Sequence, residues 1–178
     1  MSASDPVIDL GALRRLDAET VDAVVTEYAP RLNAFLRRLG ASASIAEELV
    51  QETLVRLVQH APRLRDDTRV GAWVFTVARN LWRSHRRWAW LDGTRLLELA
   101  SGPRPLTPTP ADNLDVARAQ KRLTAAVSAL PEPQREVFLL VVGEGLDPID
   151  VAAILGLSPD ATRQRLARAR RTLEEALA

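Results

Sequence analysis

The chain has 178 residues, of which 47% are hydrophobic and 26% charged, and its formal net charge is +1. This length fits one ordinary domain or two small ones, and the composition is typical of a globular protein. Cysteine is absent, which excludes disulfides, thiolate zinc sites and cysteine nucleophiles. Because the sequence shows no secretory signal pattern and no run of about 18 apolar residues, we expect a cytoplasmic protein without membrane insertion.

The first part of the chain predicts two consecutive helices. Apolar residues recur every three or four positions from about residue 18 to 39, and Gly40 ends this helical pattern. Ser44, followed three residues later by Glu47, predicts the capping box of a second helix. That helix continues until the Ala61-Pro62 step interrupts it.

The second helix carries a compact face of acidic and amide side chains. Its members lie on successive turns and are Glu47, Glu48, Gln51 and Glu52. Carboxylates near a helix start interact favourably with the helix dipole, so a solvated surface explains the pattern. A docking face for a basic partner also explains it, and the spacing alone slightly favours the solvated surface.

A third helix is predicted over residues 70–90, which contain all four tryptophans. On a helical wheel, the predicted core face consists of Val74, Val77, Ala78, Leu81, His85 and Trp88. An arginine stripe with neighbouring aromatic rings lies opposite and comprises Arg79, Arg83, Arg86, Phe75, Trp82 and Trp90. Single-stranded nucleic acid requires this combination, because bases stack on rings while arginines hold phosphates. A basic membrane-surface helix would look similar, but here the apolar face is needed to close a small helical core.

Residues 92–115 predict a semi-rigid linker between two helical modules. Four prolines fall within eight positions of this segment, interleaved with serine, threonine and glycine. Further helices are expected at about 116–130 and 134–142. Because the sequence shows no convincing strand and no internal repeat, we predict an all-α fold. It consists of an N-terminal helical bundle and a C-terminal helix-turn-helix domain.

The end of the chain carries the signature of the helix-turn-helix motif. Asp147 and Pro148 start one helix, Gly156 ends it, and Ser158-Pro159 starts the next in the same way. The predicted buried side of the first helix comprises Ile149, Ala152, Ala153, Ile154 and Leu155. The predicted inward face of the second helix comprises Thr162, Leu166, Ala169 and Leu173.

The outward face of that second helix is rich in arginine. It comprises Gln164, Ala167, Arg168 and Arg171, with Arg163 and Arg165 on the flanks. A recognition helix requires this division, with apolar groups behind and base-reading and phosphate-binding groups in front. A solvated arginine face is the alternative. DNA binding is favoured, because only Asp160 offsets these arginines in the first part of the helix.

Together these motifs resemble the extracytoplasmic-function (ECF) group of bacterial sigma factors, from about Leu16 to Leu177. Region 2.2 of that family is similar to AEELVQETLVRLV, and regions 2.3 and 2.4 are similar to GAWVFTVARNLWRSHRR. Regions 4.1 and 4.2 are similar to LPEPQREVFLLVVGEGL and DVAAILGLSPDATRQRLARAR. The resemblance implies a region 2 domain over 16–91, the linker over 92–115 and a region 4 domain over 116–178, without a region 3 domain.

The resemblance implies a transcription initiation factor with no catalytic activity, cofactor or metal of its own. Its implied partners are core RNA polymerase (the β′ coiled coil and the β flap), promoter DNA that is double-stranded at −35 and melted at −10, and an anti-sigma factor. The implied polymerase-binding residues are Glu47, Glu48, Gln51 and Glu52. The implied −10 residues are Arg65, Arg69, Trp73, Arg79, Asn80, Trp82, Arg83, Arg86 and Arg87. The implied −35 residues are Arg163, Gln164, Arg165, Arg168 and Arg171.

Asn80 matches an asparagine that helps hold a flipped-out −10 base in similar proteins, and the loop Arg65–Arg69 would close over that base. Two other classes stay open. One is an autonomous helix-turn-helix regulator whose N-terminal module dimerises, and the other is a helical scaffold with solvated arginine faces. The acidic and amide face distinguishes a sigma factor from both alternatives, because only a sigma factor requires this face for binding polymerase.

Overall fold

The computed structural model describes residues 8–92 and 114–178, with side chains for residues 8–89 and 118–178. These residues form eight α-helices and no β-strand, which confirms the all-α prediction. The helices are α1 (Leu10–Arg14), α2 (Ala18–Leu39), α3 (Ala43–His60), α4 (Val70–Asp92), α5 (Leu114–Ala129), α6 (Glu132–Phe138), α7 (Pro148–Leu155) and α8 (Pro159–Leu177). A 3₁₀ turn, Ala61–Arg63, follows α3, and a π-helical turn, Leu139–Gly143, follows α6. The predicted linker lies outside the described residues from 93 to 113, and no described helix is long and apolar enough to cross a bilayer.

Local capping signals fix most helix ends where the sequence predicts them. Gly40 and Gly156 end α2 and α7 in the left-handed conformation, with φ of 111° and 65°, which a side chain would disfavour. Asp147 and Ser158 each accept a backbone N–H bond from the first turn of the helix that follows. The two helices of the helix-turn-helix motif are therefore set by their own caps.

The start of α3 differs from the predicted capping box. Ser42, not Ser44, is the cap, and its hydroxyl accepts the Ile45 N–H at 3.3 Å. The hydroxyl of Ser44 lies 3.2 Å from that of Ser42. Two nearby serines offered alternative caps, and the earlier one starts α3 directly after the turn at Gly40. Helix α1 was not predicted, because its five residues are too few to show a period.

The helices form two bundles that pack against each other. Helices α2, α3 and α4 make the N-terminal bundle, in which Phe35 and Phe75 meet edge to face at 5.3 Å between ring centroids. Helix α8 packs on α5, α6 and α7 to make the C-terminal bundle. Helix α4 also contacts α7, and α2 contacts α6, so that buried residues of both bundles form one continuous apolar cluster.

The predicted core face of α4 is wrong, because the face that is buried differs from it by part of a helical turn. Trp82 is 2% exposed, whereas Trp88, predicted to be buried, is 65% exposed. The buried positions of α4 are Val70, Gly71, Val74, Phe75, Ala78, Arg79, Trp82 and Ala89. The wheel assumed one covered side, but α4 is covered by α2 and α3 on one side and by α7 on another. The side chain of Trp90 lies outside the described residues.

The inward face of α8 is confirmed, since all four predicted residues are buried. The prediction for α7 holds in part. Ala152, Ile154 and Leu155 are buried, but Ala153 is exposed and Ile149 is 68% exposed. Val151 is buried in their place. The buried side of α7 therefore starts at Val151, two residues later than the wheel suggested.

Candidate nucleic-acid and polymerase interfaces

One edge of α4 is basic and open to solvent. Asn80, Arg83 and Arg87 are exposed and, with Ser84, line a concavity of about 370 Å³. Their spacing of three and four residues places them on one helix face. Within the described chain neither arginine forms an ion pair, so this edge offers free guanidinium groups beside an amide. We call it the open edge of α4.

The opposite edge of α4 faces the C-terminal bundle. Arg79 donates from Nε and Nη2 to the two carboxylate oxygens of Glu136, at 3.0 and 3.1 Å. Arg86 pairs with Glu132. The single stripe predicted from Arg79, Arg83 and Arg86 is therefore divided, and only Arg83 belongs to the open edge. We call the edge made by Arg79 and Arg86 the paired edge of α4.

Two tryptophans of the predicted −10 set already have ring contacts within the chain. Trp82 is buried, stacks on His85 at 5.9 Å between centroids, and has the guanidinium of Arg86 at 5.9 Å from its ring. Trp73 is half-buried and stacks on His60 at 5.6 Å. Trp82 therefore presents no free ring face to a base in this arrangement, and its role in −10 DNA binding stays a prediction.

The loop between α3 and α4 borders a second concavity. This concavity, of about 510 Å³, is lined by Arg14, Arg65 and Asp66 among others. Arg14 pairs with Asp66 at 2.7 Å, which ties the loop to α1. Asn80 does not line it, so the structure does not bring the predicted base-holding asparagine and its closing loop into one cavity.

The acidic and amide face of α3 is exposed as a unit. Glu47, Glu48 and Gln51 are exposed, and Glu52 is half-buried and paired with Arg56 at 2.7 Å. The other side of α3 is buried through Ile45, Ala46, Leu49, Val50, Thr53 and Leu57. Within the described residues neither Glu47 nor Glu48 has an internal ion partner, so both carboxylates are available to another molecule.

The outward face of α8 is also accessible. Arg163, Gln164, Arg168 and Arg171 are exposed, while Arg165 is half-buried. Arg163 pairs with Asp160 in the first turn. Because α5, α6 and α7 pack behind this helix, the predicted −35 residues form a surface that no other described helix covers.

A buried ion pair that the sequence did not predict joins α2 to the turn after α6. Arg31 donates to a Glu144 side-chain oxygen at 3.1 Å and to the Glu144 carbonyl at 2.9 Å, and it also bonds Glu27 at 2.8 Å. Burial raises the pKa of Glu144 against the opposing effect of Arg31 and Arg38. Burial lowers the pKa of Arg31, but hydrogen bonds to two carboxylates outweigh it and raise that pKa overall. Arg31 thus stays charged, whereas burial favours the protonated form of Glu144 and raises its pKa.

Stability should fall as pH rises through the pKa of Glu144. Between the ordinary value of 4.5 and the raised value, the folded chain holds a proton that the unfolded chain releases. Glu144→Gln lacks this proton, so its free energy of unfolding should fall less steeply with pH, by up to about 1.4 kcal/mol per pH unit. Chemical denaturation of both proteins across this pH window measures the slopes, and parallel slopes would contradict the assignment.

The two bundles coincide with two known sequence families. A model of sigma-70 region 2 matches residues 24–91, and a model of sigma-70 region 4 matches residues 120–173. The ECF RNA polymerase sigma factor EcfG of Rhodopseudomonas palustris is 34% identical over 148 residues, which cover 83% of this chain and 80% of that protein. The chain belongs to the ECF sigma factors.

Two further ECF sigma factors support this assignment. SigL of Mycobacterium tuberculosis is 31% identical over 159 residues, which cover 88% of each chain. The structure of the sigma factor RpoE in complex with the anti-sigma factor NepR from Bartonella quintana is similar with a TM-score of 0.71 at 27% identity, covering 88% of this chain and 95% of that one. As an ECF sigma factor, the protein is a polymerase-binding factor that directs promoter-specific transcription initiation. An autonomous regulator is not favoured, because the region 2 match covers most of the N-terminal bundle.

Proposed function

We propose that this ECF sigma factor binds core RNA polymerase through the acidic and amide face of α3, which contacts a basic surface of the β′ coiled coil. The exposed Glu47 and Glu48 carboxylates carry this proposal, because they have no ion partner within the described chain. Charges arranged to match a partner speed association and fix its orientation. The protein would act in the cytoplasm, where polymerase and promoter DNA are found.

A second polymerase contact is proposed for an apolar groove on the C-terminal bundle. The groove has a volume of about 240 Å³ and lies between α5 and the π-helical turn. Leu123 and Val142 line it and are 43% and 48% exposed, so the groove presents apolar surface to solvent. An amphipathic helix buries its apolar face in such a groove, and we assign this position to the β flap.

Promoter recognition divides between the two bundles. The open edge of α4 suits melted −10 DNA, since Asn80 can bond a base edge while Arg83 and Arg87 hold phosphates. The outward face of α8 suits the major groove of the −35 duplex, with Gln164 and Arg168 toward the bases and phosphates. The loop residues Arg65 and Arg69 would extend the −10 surface.

An anti-sigma factor is the proposed regulator. The sigma factor RpoE that is similar in fold was solved in complex with the anti-sigma factor NepR. Similarity over 95% of that chain supports the proposal that the present chain can adopt an arrangement that such an inhibitor binds.

Asn80→Ala or Arg83→Ala should impair promoter opening while core polymerase binding stays unchanged. Each loses a contact to the melted strand, and one contact of this kind contributes about 1–3 kcal/mol, or roughly 5- to 150-fold. Permanganate footprinting of thymines near −10 in the holoenzyme complex measures opening. Arg15→Ala, which removes an exposed arginine directly after α1 and outside this edge, is the control. Equal footprints for all three variants would remove the open edge from the −10 site.

Binding to fork-junction promoter DNA tests the proposed function. The chain alone should bind the DNA weakly, and a complex with core polymerase should bind it tightly and protect −10 and −35. Tight, sequence-specific binding of duplex DNA by the chain alone would instead favour an autonomous regulator.

A further inference from the structure

Among the residues whose side chains the structure describes, four ion pairs of one polarity join the two bundles. In each pair the arginine belongs to the N-terminal bundle and the carboxylate to the C-terminal bundle. The pairs are Arg31–Glu144, Arg69–Asp150, Arg79–Glu136 and Arg86–Glu132. The C-terminal bundle thus presents an acidic surface that is complementary to a basic one.

The Arg79–Glu136 pair lies at the centre of this interface. Its two side chains are 9% and 7% exposed, and the contact is bidentate. Arg79 also donates to the Ile154 carbonyl of α7 at 3.4 Å. Arginine and glutamate are almost never fully buried unless they are paired. In this arrangement of the two bundles, Arg79 therefore depends on the C-terminal bundle for its ion partner.

Three of these four arginines belong to the predicted −10 surface. Arg69, Arg79 and Arg86 would each contact the DNA backbone or bases, and each is held by a carboxylate of the C-terminal bundle. A guanidinium fork binds carboxylate and phosphate with the same geometry. One guanidinium cannot engage both in full, so closure of the bundles and complete binding of −10 DNA exclude each other.

We propose that the C-terminal bundle is an autoinhibitory latch, in which Glu132, Glu136 and Asp150 occupy the positions of promoter phosphates on the paired edge of α4 and its loop. The inference rests on the −10 function proposed for the open edge of α4 and on the predicted −10 role of Arg69, Arg79 and Arg86 beside it. The latch acts on −10 recognition alone, because the outward face of α8 remains accessible in the closed chain. Opening the latch would release these three arginines from the carboxylates of the C-terminal bundle together.

Two pairs of substitutions open the latch in different ways. Glu132→Gln with Glu136→Gln removes the charges at the paired edge of α4 and keeps the side-chain shapes. Glu132→Gln with Asp150→Asn spares the buried pair and serves if the first variant is poorly folded. Glu174→Gln with Glu175→Gln removes the same charge from exposed positions of α8 outside the four pairs, and this variant is the matched control.

The distance between the two bundles shows whether the latch is open or closed, and it can be measured without polymerase or DNA. The chain has no cysteine, so Gln59→Cys in α3 and Ala176→Cys in α8 give two unique sites for a donor and an acceptor dye. We expect one high-transfer population in the wild type and in the control. The latch variants should gain a low-transfer population, and unchanged transfer in both would overturn the latch.

Affinity for a labelled single-stranded 12-nucleotide DNA tests the consequence. If the open state is about one-tenth populated or less in the wild type, opening should tighten binding about tenfold, and the control should not change it. Opening without tighter binding, or equal tightening in the control, would overturn the phosphate-mimic role. Adding Arg83→Ala to a latch variant tests the proposed −10 site separately from the closure of the bundles by ion pairs. If it leaves DNA affinity unchanged while the distance still increases, the proposed −10 site fails and the closure by ion pairs stands.

Discussion

Reversing the charge of the acidic and amide face of α3 should reduce the affinity for core polymerase by about 100-fold or more. In Glu48→Lys with Gln51→Lys, two exposed side chains become cations that repel a basic partner surface. Central interface residues contribute about 2–4 kcal/mol, and like charges placed across an interface cost several kcal/mol. Fluorescence anisotropy of the labelled chain with core enzyme measures the dissociation constant.

Asp22→Lys with Thr26→Lys is the matched control for that experiment. It makes the same change in net charge at two exposed positions of α2, roughly 20 Å away along the α2–α3 hairpin. Because the docking face is untouched, core affinity should stay within about threefold of the wild type. Equal weakening in both variants would show a general charge effect. Unchanged affinity in the Glu48 variant would remove α3 from the polymerase interface.

Trp82→Ala should destabilise the chain by about 3–5 kcal/mol, whereas Trp88→Ala should change stability by about 0.5 kcal/mol or less. Trp82 is 2% exposed and packs in the continuous core, whereas Trp88 is 65% exposed on the same helix. Within the described residues the buried Nε1 of Trp82 has no hydrogen-bond partner. Its removal therefore costs packing and apolar burial, but no hydrogen bond.

Urea denaturation followed by circular dichroism compares the two tryptophan variants directly. For a chain of this size the loss at Trp82 corresponds to a fall of roughly 10 °C in apparent Tm. Trp82→Phe, which keeps most of the buried apolar area, should lie between the wild type and Trp82→Ala. Equal stability of the two alanine variants would contradict the burial of Trp82 in the continuous core.

Features set by neighbouring residues could be predicted from the sequence. Gly40, Gly156, Asp147 and Ser158 act on the turn beside them, so their roles follow from residue type and position alone. The inward face of α8 was also predictable, since one regular apolar stripe faces one bundle. The family resemblance added the polymerase and promoter roles, which no periodicity encodes.

Features set by contacts between the bundles could not be predicted from the sequence. Arg79 and Glu136 are 57 positions apart, and nothing near either residue indicates the other. A helical wheel of α4 assumes one covered face, so it placed Trp82 with the DNA-binding residues and Trp88 in the core. The second covering, by α7, turned part of the predicted arginine stripe into an interface within the chain.

Run-off transcription with purified core RNA polymerase, on fragments of the source genome, tests the central claim most directly. We expect transcripts that start at a defined set of sites only when the chain and core enzyme are both present. Their templates should share one −10 and one −35 sequence, and Glu48→Lys with Gln51→Lys should abolish the products. The absence of site-specific initiation by a folded chain with active core enzyme would contradict the account.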